Sequence, residues 1–547
     1  MKLIYDWKSH LVNGSRSWDV IVVGGGHNGL TAGAMLAGAG LSTLVLESRD
    51  IVGGCCVTEE IAPNCRASTT SYIASMLRPE VIRALALGRH GLAMVPCEPV
   101  LQVALEGGRV VAHWNEPART AAELQPYSLR DARAFVAADE ELRRLAKRLQ
   151  PLFMEPPPDT RSRSLSGYLE LLRLAFKLRG TTGKDVEGLT ELLTGSLGQF
   201  IDGHFESDEA KALMLANNLY GKHGGPYQPG TLVGLAFHLL TGGEENLQGY
   251  FGHVMGGMGA IANAIASAGR SRGMVIRTGT AVEQVTVKAG RAQGVALSDG
   301  TELRARTVLS GVDPKRTFLR LLDKSELPTG FRAAVEGIKM DGPCAKVNLV
   351  LDAEPAVIGM PSGASPGRRA LFTLPPSLAV ADACYDRSKR GELPDAEQLF
   401  IDCVVASNVD GSLAPPGRHI MTCFVQYVPY RLAAGTWDDW REELGDRVIR
   451  RIGHFAPNVP AAVVARQVLT PLDLEREYGL SEGNIFHGDI ASDQLFHMRP
   501  VPGWARYATP VAGLYLCGAG AHPGGGVTGA PGYNAAKRVM ADRKASR

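Results

Sequence analysis

The pattern of apolar and polar positions changes character several times along the 547-residue chain. Residues 20–23 form an unbroken β-branched run, as a strand buried on both faces should. Residues 30–39 are dense in Ala and Leu and predict a helix that Gly40 ends, and residues 43–46 return to strand. Residues 92–114 alternate and turn at Gly107-Gly108, predicting a hairpin. From 128 to 240 the spacing is mostly helical, interrupted at Pro151 and at prolines 156–158. Residues 254–268 predict a helix, 275–279 and 282–288 strands, and 294–304 a hairpin around Asp299-Gly300. Further strands are expected near 346–351, 399–406 and 419–428, beside a plainly amphipathic helix at 437–455. A strand at 511–517 and a helix from 533 to about 542 follow.

Two glycine runs lie far apart in this pattern. Gly24, Gly26 and Gly29 follow the first strand at once and spell GxGxxG. There Gly24 permits the tight turn, Gly26 lets backbone N–H groups reach a pyrophosphate, and Gly29 lets helix and strand pack closely. Gly25, His27 and Asn28 complete the turn, with His27 expected beside the phosphates and the positive end of the helix facing them. Glu47 ends the second strand, where an acid accepts hydrogen bonds from a ribose 2′-hydroxyl and repels a 2′-phosphate. The half-site thus favours FAD or NAD over NADP. The stretch ESRDIVGG, with Glu47, Ser48, Arg49, Gly53 and Gly54, resembles the extended fingerprint of glutathione-reductase-type flavoproteins, which implies FAD. Cys55 and Cys56 follow directly and are expected beside the cofactor.

The second run, GAGAHPGGGVTGAPGYNAAK, spans 518–537 and repeats the GxGxxG spacing at Gly524, Gly526 and Gly529. Five residues separate Gly518 from Gly524, and one helix follows without a second strand or ribose-binding acid. A second nucleotide domain is not expected there. Both runs are expected to build one site.

Composition refines this picture in a few places. A net charge of +2 and 45% hydrophobic residues give no nucleic-acid footprint and ample material for a core. Nine Cys without paired CxxC spacing fit free thiols, and a bridge between adjacent Cys55 and Cys56 would be strained. No metal cluster, Ser-His-Asp set or P-loop stands out, so no metal is expected. No run of about 18 apolar residues predicts a membrane span, and the opening MKLIYDWKSHLVNGSRSW has neither a signal-peptide core nor the character of a transit peptide. Residues 142–184, however, hold ten Lys or Arg against three Asp or Glu, a local +7. Leu142, Leu145 and Leu149 line one helix face there; Leu165, Leu169, Leu172 and Phe176 line the next, with Ser166, Glu170, Arg173 and Lys177 as the polar stripe. Such a basic amphipathic pair either makes a peripheral contact with anionic lipid or is the solvated outer face of a domain.

The second glycine run matches the pattern G-[DA]-x-x-x-PG-x-G-x-x-GA, which closes over the flavin in one flavoprotein superfamily; Ala519 stands where many relatives carry an acid. With HPGGG it resembles the phytoene desaturase and carotenoid isomerase family. The resemblance continues in GGGHNGL (24–30), VMGGMGAIANAIA (254–266), VLSGVDP (308–314) and PLDLEREYGLSEGNIFHGDIASDQLFHMRP (471–500). The last block is similar to the branch named pyridine nucleotide-disulfide oxidoreductase domain-containing protein 2. The resemblance implies an α/β fold, a glutathione-reductase-type Rossmann FAD-binding domain interleaved with an α+β substrate domain made of a mixed sheet plus helical lid. The expected division is 15–90, 245–322 and 501–547 for the FAD-binding domain and 91–244 and 323–500 for the substrate-binding domain. It places Gly518, Ala519, Gly526, Val527 and Gly529 along the flavin and the Val282 backbone at the adenine. It also implies a cytoplasmic setting, membrane-associated if the basic helices touch lipid, or the mitochondrial matrix in a eukaryote.

The expected activity is an FAD-dependent dehydrogenase or desaturase that passes hydride from an apolar isoprenoid or acyl-like substrate to flavin N5, with quinone, oxygen or NAD as the final acceptor. Cis–trans isomerisation on reduced flavin, amine oxidation and a non-catalytic lipid chaperone of the GDP-dissociation-inhibitor type are the alternatives. His487 and His522 are the candidates for a chemical role, and no other acid or base on the chain stands out.

Overall fold

The first β-branched run becomes strand β1 (Trp18–Val23) in the computed structural model, which describes residues 17–159, 163–216, 221, 223–235, 237 and 251–545. Most of the opening stretch, the ends 15–16 and 245–250 of two expected pieces, and parts of the 128–240 helical stretch lie outside the described residues. Helix α1 (His27–Gly38) and strand β2 (Thr43–Leu46) follow, as the spacing predicts. β1 lies parallel to β2 on one side and to the strand Glu302–Ser310 on the other. Val275–Arg277 adds to β2 in parallel, and Leu514–Leu516 adds to Glu302–Ser310. An antiparallel meander through Val282–Lys288 and Arg291–Leu297 widens the same sheet. One seven-stranded sheet thus draws on three distant parts of the chain.

Packing explains why those parts stay together. α1 lies against the helices Gly259–Arg270 and Ala530–Ala545. A Cβ added at Gly532 would stand 2.0 Å from the carbonyl oxygen of Asn28, so two helices separated by most of the chain meet backbone to backbone. The buried side chains of β1 and β2, among them Ile21, Leu44 and Leu46, fill one core with those helices.

A second seven-stranded sheet runs in the order Val463–Leu469, Cys344–Leu351, His419–Gln426, Ile401–Val405, Leu371–Leu374, Leu101–Leu105, Arg109–His113. It is antiparallel except where Leu371–Leu374 meets Leu101–Leu105. The helix Trp437–Phe455 covers it through Leu444, Val448 and Ile452, with Thr436 and Asp439 forming a capping box at its start. Helices between Leu129 and Ala216 pack elsewhere on this half. Leu142 and Leu145 point inward, so this first part of the basic stretch has no apolar face free.

The periodicity misleads in two places. Residues 252–254, partly within an expected helix, instead form a strand paired with Met94–Pro96. Gly256 and Gly257, at φ +82° and +78°, break the chain before the helix starts at Gly259. The strands Leu371–Leu374 and Val463–Leu469 were also not anticipated: one is four residues long, the other an edge strand with a mixed polar pattern.

Candidate functional site

A cavity of about 360 Å³ opens between the two sheets, within the size range of small-molecule sites. The first sheet supplies its glycine turn. Gly24 has φ +94°, and a Cβ at Gly29 would stand 2.2 Å from the Gly24 carbonyl oxygen, so the turn and helix start leave no room for side chains. No side chain caps the start of α1 and no acid occupies its first turn. Its N–H groups are therefore available to an anion.

Glu47 closes the turn from β2. One carboxylate oxygen accepts from the Gly25 N–H at 2.8 Å and the other from the Arg49 N–H at 2.9 Å. Arg49 pairs with Glu59 at 2.5 Å and lies 4.4 Å over the Tyr478 ring. One of its guanidinium nitrogens, Nη1, is buried with no hydrogen-bond partner, and so is Oδ1 of Asn28. Both residues line the cavity. An uncapped helix start, an unsatisfied guanidinium and an acid beside the second strand are the features a bound dinucleotide with a pyrophosphate and a free ribose would satisfy.

Both glycine runs reach this one cavity. The Nε2 of His27 donates to the carbonyl of Gly526 at 3.2 Å, joining residues 499 positions apart. Burial pushes the His27 imidazole down to about 4, so it is neutral at pH 7. Gly24, Gly26, His27, Asn28, Gly29, Glu47, Ser48, Arg49, Gly53, Gly54, Cys55, Val282, His487, Ala519, Gly526 and Val527 all line the cavity. Gly25 sits behind the lining, donating to Glu47 and accepting from Gly53 N–H at 2.9 Å. Gly518 packs against Gly311, where a Cβ would stand 2.3 Å from the carbonyl oxygen. Gly529, at φ +70°, is likewise behind the wall, against Val81. Cys56 is buried and its thiol donates to the Met258 carbonyl at 3.1 Å. Burial pushes both the Cys55 and Cys56 thiols up to about 12, which keeps them protonated and poor in exchange.

The two candidate histidines part company. His487 lines the cavity in the left-handed region at φ +58°. Asn484 Oδ1 holds that turn by accepting from Phe486 and Gly488 N–H at 2.9 and 3.0 Å. Its Nδ1 is buried without a partner, and burial pushes the imidazole down to about 4. His522 does not line the cavity; its Nε2 donates to the Leu152 carbonyl at 3.0 Å, between the rings of Phe153 and Phe496.

Two buried cations escape the sequence reading, Lys346 and Arg499. Lys346 lines the cavity from the second sheet, 2% exposed, with Nζ lacking any hydrogen-bond partner and 4.0 Å from the centre of the Tyr72 ring. Burial pushes its ammonium down to about 7. Beside it the Tyr72 hydroxyl donates to Asp402 Oδ2 at 2.6 Å, and the Thr373 hydroxyl donates to Oδ1 at 2.7 Å. Arg499, 2% exposed, spends its donors on main-chain carbonyls, among them Ala519 at 2.8 Å and Asp489 at 3.1 Å. A lone Lys inside the apolar run CAKVNLVL was the available signal; nothing in the pattern around Arg499 distinguished it. Among the described residues no group of His, Cys, Asp and Glu could hold a metal, and no helix is long and apolar enough to cross a membrane.

The family model described as flavin containing amine oxidoreductase matches residues 29–540. Pyridine nucleotide-disulfide oxidoreductase domain-containing protein 2 of Mus musculus is 38% identical over 551 aligned residues, covering 96% of this chain and 94% of that one. Phytoene desaturase (lycopene-forming) of Pseudescherichia vulneris is 24% identical, covering 93% and 96%. A putrescine oxidase structure with bound putrescine superimposes with a TM-score of 0.58 at 16% identity, covering 97% and 100%, which is a likeness of fold.

Proposed function

The chain belongs to the flavin-containing amine oxidoreductase family and is an FAD-dependent oxidoreductase; from that premise we propose that it is a dehydrogenase of the desaturase type, acting on an apolar isoprenoid or acyl-like substrate. The glycine turn and the start of α1 would hold the pyrophosphate, Glu47 the ribose and Arg49 the remaining negative charge. Bound FAD supplies the hydride acceptor. Ala519, Gly526, Val527 and Val282, all on the cavity lining, would close around the cofactor.

The observation that carries this reading is the wall the second sheet presents. There Lys346 stands beside Cys344, Tyr72 and Phe424, with Ile73, Phe251 and Leu480 also on the lining. An amine substrate arriving as a cation would be repelled by the fraction of Lys346 still protonated near pH 7. An apolar substrate meets a dry wall and a base that is half neutral near pH 7. Neutral Lys346 takes the proton from the carbon next to the one that loses hydride. The substrate would thus lose H⁺ to Lys346 and H⁻ to the acceptor that bound FAD would supply, gaining a C=C bond, and a quinone, oxygen or NAD would take up the electron pair. Because the neutral amine is the base, turnover rises with pH through about 7 and falls below it.

Oxidation of an amine is the second reading, favoured by the family match. Anaerobic mixing of the yellow holoenzyme separates the two. Isoprenoid or acyl substrates should bleach absorbance near 450 nm, with product two mass units lighter. Bleaching by diamines with release of ammonia, or an isomer of unchanged mass, would overturn the desaturase reading. Lys346→Met should lower turnover by about 10²-fold or more and remove the inflection near pH 7, while leaving FAD content unchanged.

A further inference from the structure

The helix Leu165–Lys177 is built the wrong way round for a member of a folded core. Leu165, Tyr168, Leu169, Leu172 and Phe176 recur at helical spacing and share one face. That face points to solvent: the five residues are 78%, 56%, 46%, 65% and 60% exposed. The opposite side holds the helix to the body, where Arg506 donates to Glu170 at 2.9 Å. Glu170 is the only acid on the helix and is thereby turned away from the exposed face. Basic residues border that face. Arg173 is exposed beside it, Arg179 lies 3.7 Å over the Phe176 ring, and Lys184 follows with its side chain 73% exposed and its Nζ 3.7 Å from Glu141.

We propose that this helix is a docking surface for an anionic lipid bilayer, independently of which substrate the cavity takes. An apolar stripe edged by more cations than acids, with Glu155 and Glu141 paired to Lys177 and Lys184 and no acid of the helix itself on the face, has the chemistry of a helix that lies in the plane of an interface. Its leucines and Phe176 enter the acyl boundary while Arg173, Arg179 and Lys184 meet the phosphates. A second copy of the same chain is the poorer occupant. Symmetric apposition of two such faces would double the positive charge at one interface with no acid of either helix turned toward it. The surface is also narrower than the whole basic stretch 142–184, because Leu142 and Leu145 are already buried in the body.

The test uses full-length holoprotein and sedimentation with vesicles of phosphatidylcholine, alone or mixed with phosphatidylglycerol. Binding to the mixed vesicles should exceed binding to the neutral ones by about ten-fold and weaken as salt is raised. Leu172→Glu with Phe176→Glu should abolish it. Arg173→Glu with Lys184→Glu should remove the preference for anionic lipid, which keeps the idea testable if the first pair disturbs folding. Flavin absorbance and melting temperature report folding in both variants. The proposal is overturned if the wild-type protein sediments with neither vesicle, or if light scattering finds a dimer that Leu172→Glu with Phe176→Glu turns into monomer.

Discussion

Lys346 occupies a strand in which all eight positions from Cys344 to Leu351 are buried. Its ammonium belongs near 10.5 in an unfolded chain and near 7 in the folded one. Between those values the unfolded chain binds more protons, so stability gains with rising pH across that window. Below about pH 7 both states are protonated and the full cost of the buried charge remains. Lys346→Met should therefore melt higher than wild type at pH 6.5, by about 1–3 kcal/mol of stability, and the gap should shrink toward pH 10; thermal melts at the two pH values check this. Glu47 makes the opposite kind of contribution. Glu47→Ala leaves the Gly25 and Arg49 N–H groups without their acceptor and should cut FAD retention while the fold survives, measured as flavin per protein after gel filtration. The acid was legible because its place after a short strand is fixed by the dinucleotide pattern. Lys346 was visible in the text but not its role, since a lysine in a strand ordinarily snorkels to water. Only the second sheet, assembled from distant strands, denies it that route.

Elements were legible where periodicity was local. β1, α1 and β2 could be read almost residue by residue, since each is set by its own run and its own glycines. Pairing between distant strands was not legible, as at 252–254, where a partner some 160 residues earlier in the chain decides the conformation. The same dependence governs helix contacts. Gly532→Ala would force a methyl onto the Asn28 carbonyl and drive the helix Ala530–Ala545 off α1. We expect a loss of about 2 kcal/mol or more, with FAD affinity falling alongside, because α1 carries the anion-binding turn. Denaturant titration with and without added FAD would measure both; an unchanged midpoint would mean that the helices part more easily than their spacing suggests. Arg499 ties a different pair of elements, the 486–489 turn and the Ala519 loop, through carbonyls. Arg499→Met leaves those acceptors buried and unsatisfied and should destabilise by about 3 kcal/mol or more.

At the scale of the whole molecule, two sheets enclose one cavity, and both glycine runs face it. Saturating FAD should accordingly raise the melting temperature and protect the chain from proteolysis, by about 2.7 kcal/mol at a hundred times Kd. The contact between His27 and Gly526 also sets a timetable. The first half of the cofactor site is made 499 residues before its other wall. At the usual pace of synthesis the interval is on the order of a minute, during which the open turn waits for its closure. FAD capture then waits on the second glycine run. Ribosome-stalled chains ending before residue 510 should carry no flavin, and released chains should acquire it, as fluorescence of the two fractions would show.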